Sequence, residues 1–250
     1  MRILGKGLIA RSLAPVAHLH EDVIAFATGV PDSATASQAA FARECSMLYG
    51  VLDDARRRKL RILYFSGGGA IYGQWTVPAV ETSPLEPISA YGRHQLLCEA
   101  IVASAGIGYL IARLPNVVGP GANPAQLVPS LVRQVIYGRV EVQTHATRDL
   151  IDALDLATVI AALLDKADEQ DTVNVASGRS VPVPLLVQEI ARILGVRPIV
   201  ETRPSGEAQR FSTAHLTAIL GYDPFKGHEF RAILDGHVPG LAELPENARI

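Results

Sequence analysis

The sequence predicts an α/β fold in which helices cover a parallel sheet. Short apolar stretches with strand character alternate with helical stretches along most of the chain, which is the pattern of successive strand–helix units. The first strand runs directly into a glycine-rich turn, and the later loops are short. We expect the 250 residues to form one large domain, or one domain with a small additional lobe.

The elements can be placed in order along the chain. Strands are predicted at Met1–Leu4, Asp22–Ala27, Arg61–Phe65, Tyr109–Leu114, Val140–Val142 and Thr172–Ala176. One helix is predicted after the first turn, and others at Ser37–Lys59, Ser89–Val102, Ala125–Tyr137, Leu156–Lys166 and Pro184–Leu194, with a last short helix ending near Leu234.

Composition limits the class of partner. Hydrophobic residues make up 48% of the chain and charged residues 19%, as in an ordinary globular protein with a sizeable core. A formal net charge of -2 leaves no basic surface for a phosphate backbone, so no nucleic-acid partner is expected. No leader sequence and no apolar run of membrane-spanning length is visible, so we expect a cytoplasmic protein without membrane contact. Cys45 and Cys98 lack metal-ligand spacing and are expected to be buried, reduced thiols.

A phosphate-binding turn is one interpretation of the residues after the first strand. The pattern G-x-G-x-x-A is formed by Gly5, Lys6, Gly7, Leu8, Ile9 and Ala10. Its glycines would let the backbone approach a pyrophosphate, and the small Ala10 would let the helix pack closely on the strand. A tight structural turn is the alternative interpretation.

The stretch Ser89–Glu99 is the main candidate for chemistry. Tyr91 lies in the first turn of a predicted helix, and Gln95 follows four positions later on the same face. A phenol beside a tuning neighbour is typical of proton transfer. Gln95 is neutral, whereas a cation would lower the pKa of the phenol. His94 could supply a charge when protonated, or could simply pack or face solvent.

Seven segments along nearly the whole chain match the motifs of one family. They are Gly5–Ala10, Phe65–Ser66 with Ile71–Gly73, Tyr91–Arg93, Arg113–Asn116 with Gly119–Gly121, Arg148–Asp149, Asn174–Gly178 and Leu220–Pro224. With these segments the chain resembles the extended short-chain dehydrogenase/reductases, the NAD-dependent epimerase/dehydratase group that acts on nucleotide-linked sugars. The resemblance implies a Rossmann-like parallel sheet with a small C-terminal substrate lobe. It divides the chain into a cofactor-binding portion at 1–123, whose elements continue to about 176, and a mainly substrate-binding portion at 124–250.

The chain also departs from that family. Gln95 stands where the family has a lysine, and Gly68 stands where it has a serine or threonine that contacts the substrate oxygen, with Ser66 two residues earlier. A helix asparagine that the family often has is absent near Arg43 and Glu44. Two strands between the glycine-rich turn and the second strand are missing. We therefore expect strand one at the sheet edge, and a right-handed connection whose helix lies on the face opposite to the family's usual one.

The candidates for the chemistry itself are Tyr91, Gln95, His94 and Ser66. The resemblance also implies two sets of ligand-binding residues. Those for the cofactor, NADP or NAD, are Gly5, Lys6, Gly7, Leu8, Ile9, Arg11, Ala27, Ser66, Gly67, Tyr91, Pro115 and Asn116. Those for the substrate are Gly68, Asn116, Arg148 and Arg210, where Arg148 could instead pair with Asp149 or Asp152. Without an acidic residue for the ribose, Lys6 and Arg11 slightly favour NADP, although both could be solvated surface cations. A homodimer is expected through the tyrosine helix and the long helix before it, where Met47, Leu48, Val51 and Leu52 could form the contact or the core.

Three functions fit these residues. The first is NAD(P)H-dependent reduction of a keto group on a nucleotide-linked deoxysugar, for example a dTDP-4-keto-6-deoxyhexose, with Tyr91 as proton donor. A free tyrosine is protonated at neutral pH and can donate without a lysine, whereas removing a proton from an alcohol needs tyrosinate. The alternatives are a non-redox enzyme in which Tyr91 and His94 move protons, and a catalytically silent binding protein. A nucleotide-sugar epimerase, a fourth alternative, fits less well, because it would need the reverse proton transfer.

Overall fold

In a computed structural model of the chain, residues 1–29, 37–73 and 77–243 are described. The strands are β1 (Arg2–Leu4), β2 (Val23–Phe26), β3 (Arg61–Gly67), β4 (Tyr109–Leu114), β5 (Asn116–Val118), β6 (Arg139–Gln143), β7 (Thr147–Arg148), β8 (Leu150–Asp152), β9 (Gln170–Asn174), β10 (Val181–Pro182) and β11 (Ile199–Arg203). The helices are α1 (Leu8–Leu13), α2 (Gln38–Arg58), α3 (Gly68–Ile71), α4 (Ala90–Ala103), α5 (Leu127–Ile136), α6 (Ala153–Lys166), α7 (Val183–Leu194), α8 (Ala214–Leu220) and α9 (Phe230–Ala242).

The centre of the fold is a parallel five-stranded sheet in the order β1-β2-β3-β4-β9. This order confirms the predicted α/β class. It also places β1 at the edge, as expected for a sheet without the two outer strands. The predicted strand bounds agree with the observed ones to within about two residues. In β2, β3 and β4 this is because the apolar runs coincide with strands that are buried over most of their length.

Helices cover both faces of this sheet. On one face Ile24, Phe26 and Tyr64 pack against α2 and α4. On the other face Val23, Ala25 and Leu63 pack against α6, α8 and the end of α1. Side chains alternate across the strand, so neighbouring residues of β2 enter different cores.

The connection between β1 and β2 does not follow the expected hand. The two connections β1–α1–β2 and β2–α2–β3 step in the same direction across the sheet, so two right-handed crossovers would place α1 and α2 on one face. Instead α1 packs against α6, and Leu13 joins the core opposite α2. The two connections therefore have opposite hands, contrary to the expected right-handed crossover. The apolar contact of α1 with α6 outweighs the usual preference.

Residues beyond 124 build a second core. It is formed where α5, α7 and α9 pack on one another, with Leu131, Leu186 and Leu234 fully or almost fully buried. The strand predicted at Val140–Val142 lies within β6, which pairs in parallel with β11. Strand β11 has no counterpart among the predicted strands. Its residues are all exposed, so they show no alternation of apolar and polar positions. The proposed division at residue 123 stays a prediction. Among the helices that the structure describes, none combines the length and the apolar character that spanning a membrane requires.

Candidate functional site

Two adjoining cavities lie at the carboxyl ends of β1 to β4. The turn cavity, of about 550 Å3, is bordered by the residues after β1 and β2 and by Glu44 and Gln95. The strand-end cavity, of about 310 Å3, is bordered by the residues after β3 and β4. Ile9, Phe65 and Tyr91 line both cavities. This edge is where open parallel sheets bind ligands.

The glycine-rich turn forms one wall of the turn cavity. Gly5 has φ +136°, and a Cβ there would lie 2.2 Å from the Ala27 carbonyl oxygen, so this position requires glycine. Gly7 precedes α1, and a Cβ there would meet nothing within 4 Å. Lys6, Gly7, Leu8, Ile9 and Ala27 all line the cavity. The backbone therefore requires glycine at position 5, whereas the space beside Gly7 is open.

Arg11 fastens the turn to a neighbouring loop. Its guanidinium donates hydrogen bonds to the carbonyl oxygens of Lys6, Pro120 and Gly121, the last at 2.6 Å. Arg11 is not among the residues that line either cavity, whereas the exposed Lys6 lines the turn cavity. Of the two cations predicted near a 2′-phosphate, the structure brings only Lys6 to a cavity.

Tyr91 lies between the two cavities. Helix α4 begins after Ser89, whose hydroxyl accepts a hydrogen bond from the Gly92 N–H at 2.9 Å. A Cβ on Gly67 would lie 3.6 Å from the Tyr91 hydroxyl, so the phenol lies directly over the end of β3. Burial, followed by the nearby Glu44 and Cys98, raises the pKa of Tyr91 to about 12. The phenol is therefore protonated at neutral pH.

Gln95 positions the backbone beneath Tyr91. Its side-chain oxygen accepts hydrogen bonds from the Gly67 N–H at 3.2 Å and from the Tyr64 hydroxyl at 3.5 Å. The residue is buried and also lines the turn cavity. Gln95 thus holds the loop after β3 and supplies no charge to the phenol.

His94 lies away from both cavities. It is buried between α2 and α4, with Nε2 3.2 Å from a Glu44 carboxylate oxygen and its ring stacked on Phe41. The Cys45 and Cys98 sulfurs are its other neighbours. His94 lines neither cavity, so the structure does not bring it to the predicted chemistry. Glu44, which the sequence analysis singled out only as a departure from the family pattern, does line the turn cavity.

Ser66 and Gly67 form the floor of the strand-end cavity beside Pro115 and Asn116. The Ser66 hydroxyl is buried and, within the described residues, has no hydrogen-bond partner. A buried hydroxyl without a partner is unfavourable by roughly 1–3 kcal/mol. Asn116 is held by the Asp149 carbonyl oxygen, which accepts from both its backbone N–H and its side-chain amide.

Gly68 is covered by another part of the chain. A Cβ on Gly68 would lie 2.7 Å from the Phe211 ring, and one on Gly69 would lie 2.3 Å from the Gln209 side chain. Phe211 is 3% exposed. The position expected to face the substrate oxygen is therefore packed beneath an aromatic ring.

The two predicted substrate arginines lie outside both cavities. Arg148 is partly buried and donates to the carbonyl oxygens of Thr147 and Glu207, each at 2.8 Å, and burial lowers its pKa. Arg210 is exposed and lies in the segment that runs beside Thr147. Arg148 does not form the local pair weighed as an alternative, since Asp149 instead accepts from Ser177 and Gly178.

Several family motif residues form a buried network behind the site. Arg113 pairs with Glu99 at 2.7 Å and donates to the Tyr72 hydroxyl at 2.9 Å. That hydroxyl in turn donates to Asn174 at 2.7 Å. Three of these residues belong to the motifs used for the resemblance, and their role here is structural. Glu99 lies outside those motifs, and only its position eight residues after Tyr91 suggested that it would share α4.

The arrangement can donate a proton next to a bound ligand. A protonated phenol, an open glycine turn and a buried serine hydroxyl surround adjoining cavities. Among the described residues that line the two cavities, Lys6 is the only lysine or arginine. The geometry therefore favours donation by Tyr91 over proton abstraction.

Sequence comparisons relate the chain to enzymes of nucleotide-sugar metabolism. The chain is 22% identical to GDP-L-fucose synthase of Sinorhizobium fredii over 199 residues, covering 70% of this chain and 63% of that protein. It is 27% identical to GDP-6-deoxy-D-mannose reductase of Pseudomonas aeruginosa over 183 residues, covering 65% and 60% respectively. The chain thus spans less than two thirds of the length of these relatives.

Structural comparison supports the same fold. The structure of RMD from Pseudomonas aeruginosa complexed with NADPH matches with a TM-score of 0.77 at 22% identity, covering 96% of this chain and 86% of that one. The sequence model of the NAD dependent epimerase/dehydratase family matches residues 10–176, which is more than half of the chain. The chain therefore belongs to the NAD dependent epimerase/dehydratase family.

Proposed function

We propose that this protein reduces a keto group on a nucleotide-linked deoxysugar, using a reduced nicotinamide cofactor and Tyr91 as proton donor. The observation that carries the proposal is the position and protonation of Tyr91. Its phenol lies over Gly67 between the two cavities, and burial raises its pKa to about 12. The two relatives described above, a deoxysugar reductase and a synthase of a GDP-linked deoxysugar, support this class of substrate.

The glycine turn supports the cofactor part of the proposal. When bound, a reduced nicotinamide supplies hydride to a carbonyl carbon. Gly5 to Ile9 and Ala27 would hold it at the turn, and Ser66, Gly67, Pro115 and Asn116 would hold it at the strand ends. The open space at Gly7 and the unpartnered Ser66 hydroxyl fit such a ligand. The edge position of β1 leaves the adenosine side less enclosed.

Of the two possible cofactors, Lys6 slightly favours NADP. Its exposed ammonium lies at the turn cavity, where it could attract an additional phosphate. Arg11 gives no such support, because its guanidinium already donates to three carbonyl oxygens.

Tyr91 completes the reduction by protonating the substrate oxygen. As hydride adds to the carbonyl carbon, negative charge develops on the oxygen, and the phenol donates its proton to give the alcohol. Gln95 holds Gly67 and with it the floor under the phenol. Because none of the described residues that line the strand-end cavity beside Tyr91 is a lysine or arginine, tyrosinate gains little stabilisation there. Alcohol oxidation and reversible epimerisation are therefore disfavoured relative to ketone reduction.

A catalytically silent binding protein is the second candidate. Phe211 covers Gly68, so the group that would contact the substrate oxygen is replaced by a packed ring. On this alternative the family fold is kept and the chemistry is lost. Turnover distinguishes the two functions.

The partner surface also remains a proposal. Leu48, Val51 and Leu52 belong to the core, whereas Met47 on α2 and Leu97 on α4 are about half exposed. We propose that a homodimer forms through these two helices, and light scattering of the purified chain measures its mass directly.

Replacing Tyr91 with Phe tests the proposed chemistry. The purified protein is mixed with NADPH or NADH and a dTDP- or GDP-linked 4-keto-6-deoxyhexose, and the loss of nicotinamide absorbance is followed. We expect turnover in the wild type and a loss of at least about 100-fold in Tyr91→Phe, the usual contribution of a general acid. Tyr222→Phe, at an exposed tyrosine outside both cavities, should keep the wild-type rate. Equal rates in wild type and Tyr91→Phe would contradict the assignment.

A further inference from the structure

We propose that Cys45, His94 and Cys98 form a zinc-binding site between α2 and α4, outside the two cavities. The chain has only two cysteines, 53 positions apart, and the fold brings both beside one histidine. In the part of the chain that the structure describes, these three side chains form the group of potential ligands whose atoms lie within 4.8 Å of one another. This site is separate from the proposed reductase chemistry and does not depend on it.

The two helices explain why these residues meet. His94 and Cys98 are four positions apart on α4, so they lie on the same helix face. Cys45 faces them from α2, which packs against α4. Spacing along the chain could not reveal this site, because one ligand comes from a different helix.

The three ligand atoms lie near the separations of a tetrahedral metal site, and a side-chain rotation would complete it. His94 Nδ1 lies 4.0 Å from the Cys45 sulfur and 4.0 Å from the Cys98 sulfur. Zinc–sulfur bonds of about 2.3 Å and zinc–nitrogen bonds of about 2.1 Å separate tetrahedral ligand atoms by roughly 3.6–3.8 Å. The two nitrogen–sulfur distances exceed the tetrahedral value by about 0.4 Å. The Cys98 sulfur lies nearer to Nε2, at 3.7 Å, so the Cys98 side chain or the imidazole would also rotate to bring this sulfur to the Nδ1 side.

Glu44 orients the histidine for this role. Its carboxylate oxygen lies 3.2 Å from His94 Nε2, and both side chains are almost fully buried. A proton on Nε2 directed at Glu44 leaves the Nδ1 lone pair for a metal. This carboxylate–histidine arrangement is common behind metal ligands, because it fixes the tautomer and makes the ring more basic.

Burial and charge favour a thiolate-binding cation. Cys98 is fully buried, and Phe41 stacks on His94 with 4.3 Å between ring centroids. Cys45 is only partly buried, so this side of the cluster is in part exposed to solvent. A divalent ion would displace one proton from each thiol to solvent and balance the two thiolates, so binding should tighten as pH rises. Two sulfurs and one imidazole suit zinc rather than magnesium or calcium, and they leave one coordination position open.

Cobalt(II) is the probe for the test, since it takes zinc sites and reports thiolate ligands by absorption. The full-length protein is reduced, treated with a chelator, desalted and titrated with Co2+. We expect thiolate-to-cobalt charge-transfer bands that saturate at one equivalent and disappear when Zn2+ is added. Cys45→Ser, Cys98→Ser and His94→Gln should each remove the bands or weaken Co2+ binding at least tenfold. His215→Gln, at a histidine paired with Asp171, should leave the titration unchanged.

A second measurement uses the wild type alone, so it tests the site even if the variants fail to fold. Alkylation of the two cysteines is followed by mass spectrometry with and without Zn2+. Protection of both by one equivalent of Zn2+ supports the site. The proposal is overturned if the reduced wild type shows no charge-transfer band, or if zinc leaves both alkylation rates unchanged.

Discussion

At the scale of single residues, the unusual feature is a tyrosine whose surroundings keep it protonated. Burial is the largest cause of the upward shift in the pKa of Tyr91, and Glu44 and Cys98 add to it. The Gln95 side chain accepts a hydrogen bond from the Gly67 N–H, so it positions the backbone beneath the phenol and supplies no charge. Such a phenol can donate a proton during ketone reduction but is a poor base for alcohol oxidation.

The pH dependence of the reduction should show this donor directly. A donor works while protonated, so activity due to Tyr91 is present below its pKa of about 12 and is lost only as pH rises towards that value. We expect kcat/KM for ketone reduction to show no loss attributable to Tyr91 up to about pH 10, the ordinary pKa of tyrosine. A decline in the wild type near pH 7–8 that Tyr91→Phe lacks would contradict the assignment.

Two glycines two positions apart, Gly5 and Gly7, should respond differently to substitution. Gly5→Ala places a Cβ 2.2 Å from the Ala27 carbonyl at positive φ, so we expect a loss of stability of several kcal/mol or failure to fold. Gly7→Ala meets nothing within 4 Å and should fold normally while weakening dinucleotide binding. Thermal unfolding and cofactor titration measure the two effects. A stable Gly5→Ala would show that the turn is not as tight as described.

At the scale of elements, α4 is fixed at both its start and its middle. Ser89 caps its first turn, and Glu99 joins it to β4 through Arg113. The side chains of Arg113 and Glu99 are 6% and 7% exposed. The helix that carries Tyr91 is therefore held by a buried ion pair on its inner side.

Removing one partner of that pair should destabilise the whole fold. Glu99→Gln leaves the Arg113 guanidinium buried without its counter-charge, so we expect a loss of roughly 3–5 kcal/mol in the free energy of unfolding. Asp53→Asn, which removes an exposed ion pair with Arg57, is the matched control and should have little effect. Urea unfolding of both variants makes the comparison. Similar midpoints for the two variants would show that the buried pair does not hold α4.

At the scale of the whole molecule, the sequence predicted the sheet well and the site only in part. The buried strands β2, β3 and β4 have nearly continuous apolar runs, so their bounds could be read directly. The expected position of β1 at the edge came from the family resemblance. The exposed β11 has no such pattern, and the face on which α1 packs depends on α6, more than 130 residues later. The same long-range packing covers Gly68 with Phe211 and joins Cys45 to His94, and no local motif encodes either contact.

The central claim is that the shortened sheet still holds a nicotinamide cofactor beside Tyr91. Titration of the purified protein with NADPH and NADH, followed by nicotinamide fluorescence, tests it most directly. We predict saturable binding with a modest preference for NADPH, weakened in Gly7→Ala and little changed in Tyr222→Phe. No binding of either cofactor at millimolar concentration would contradict the claim.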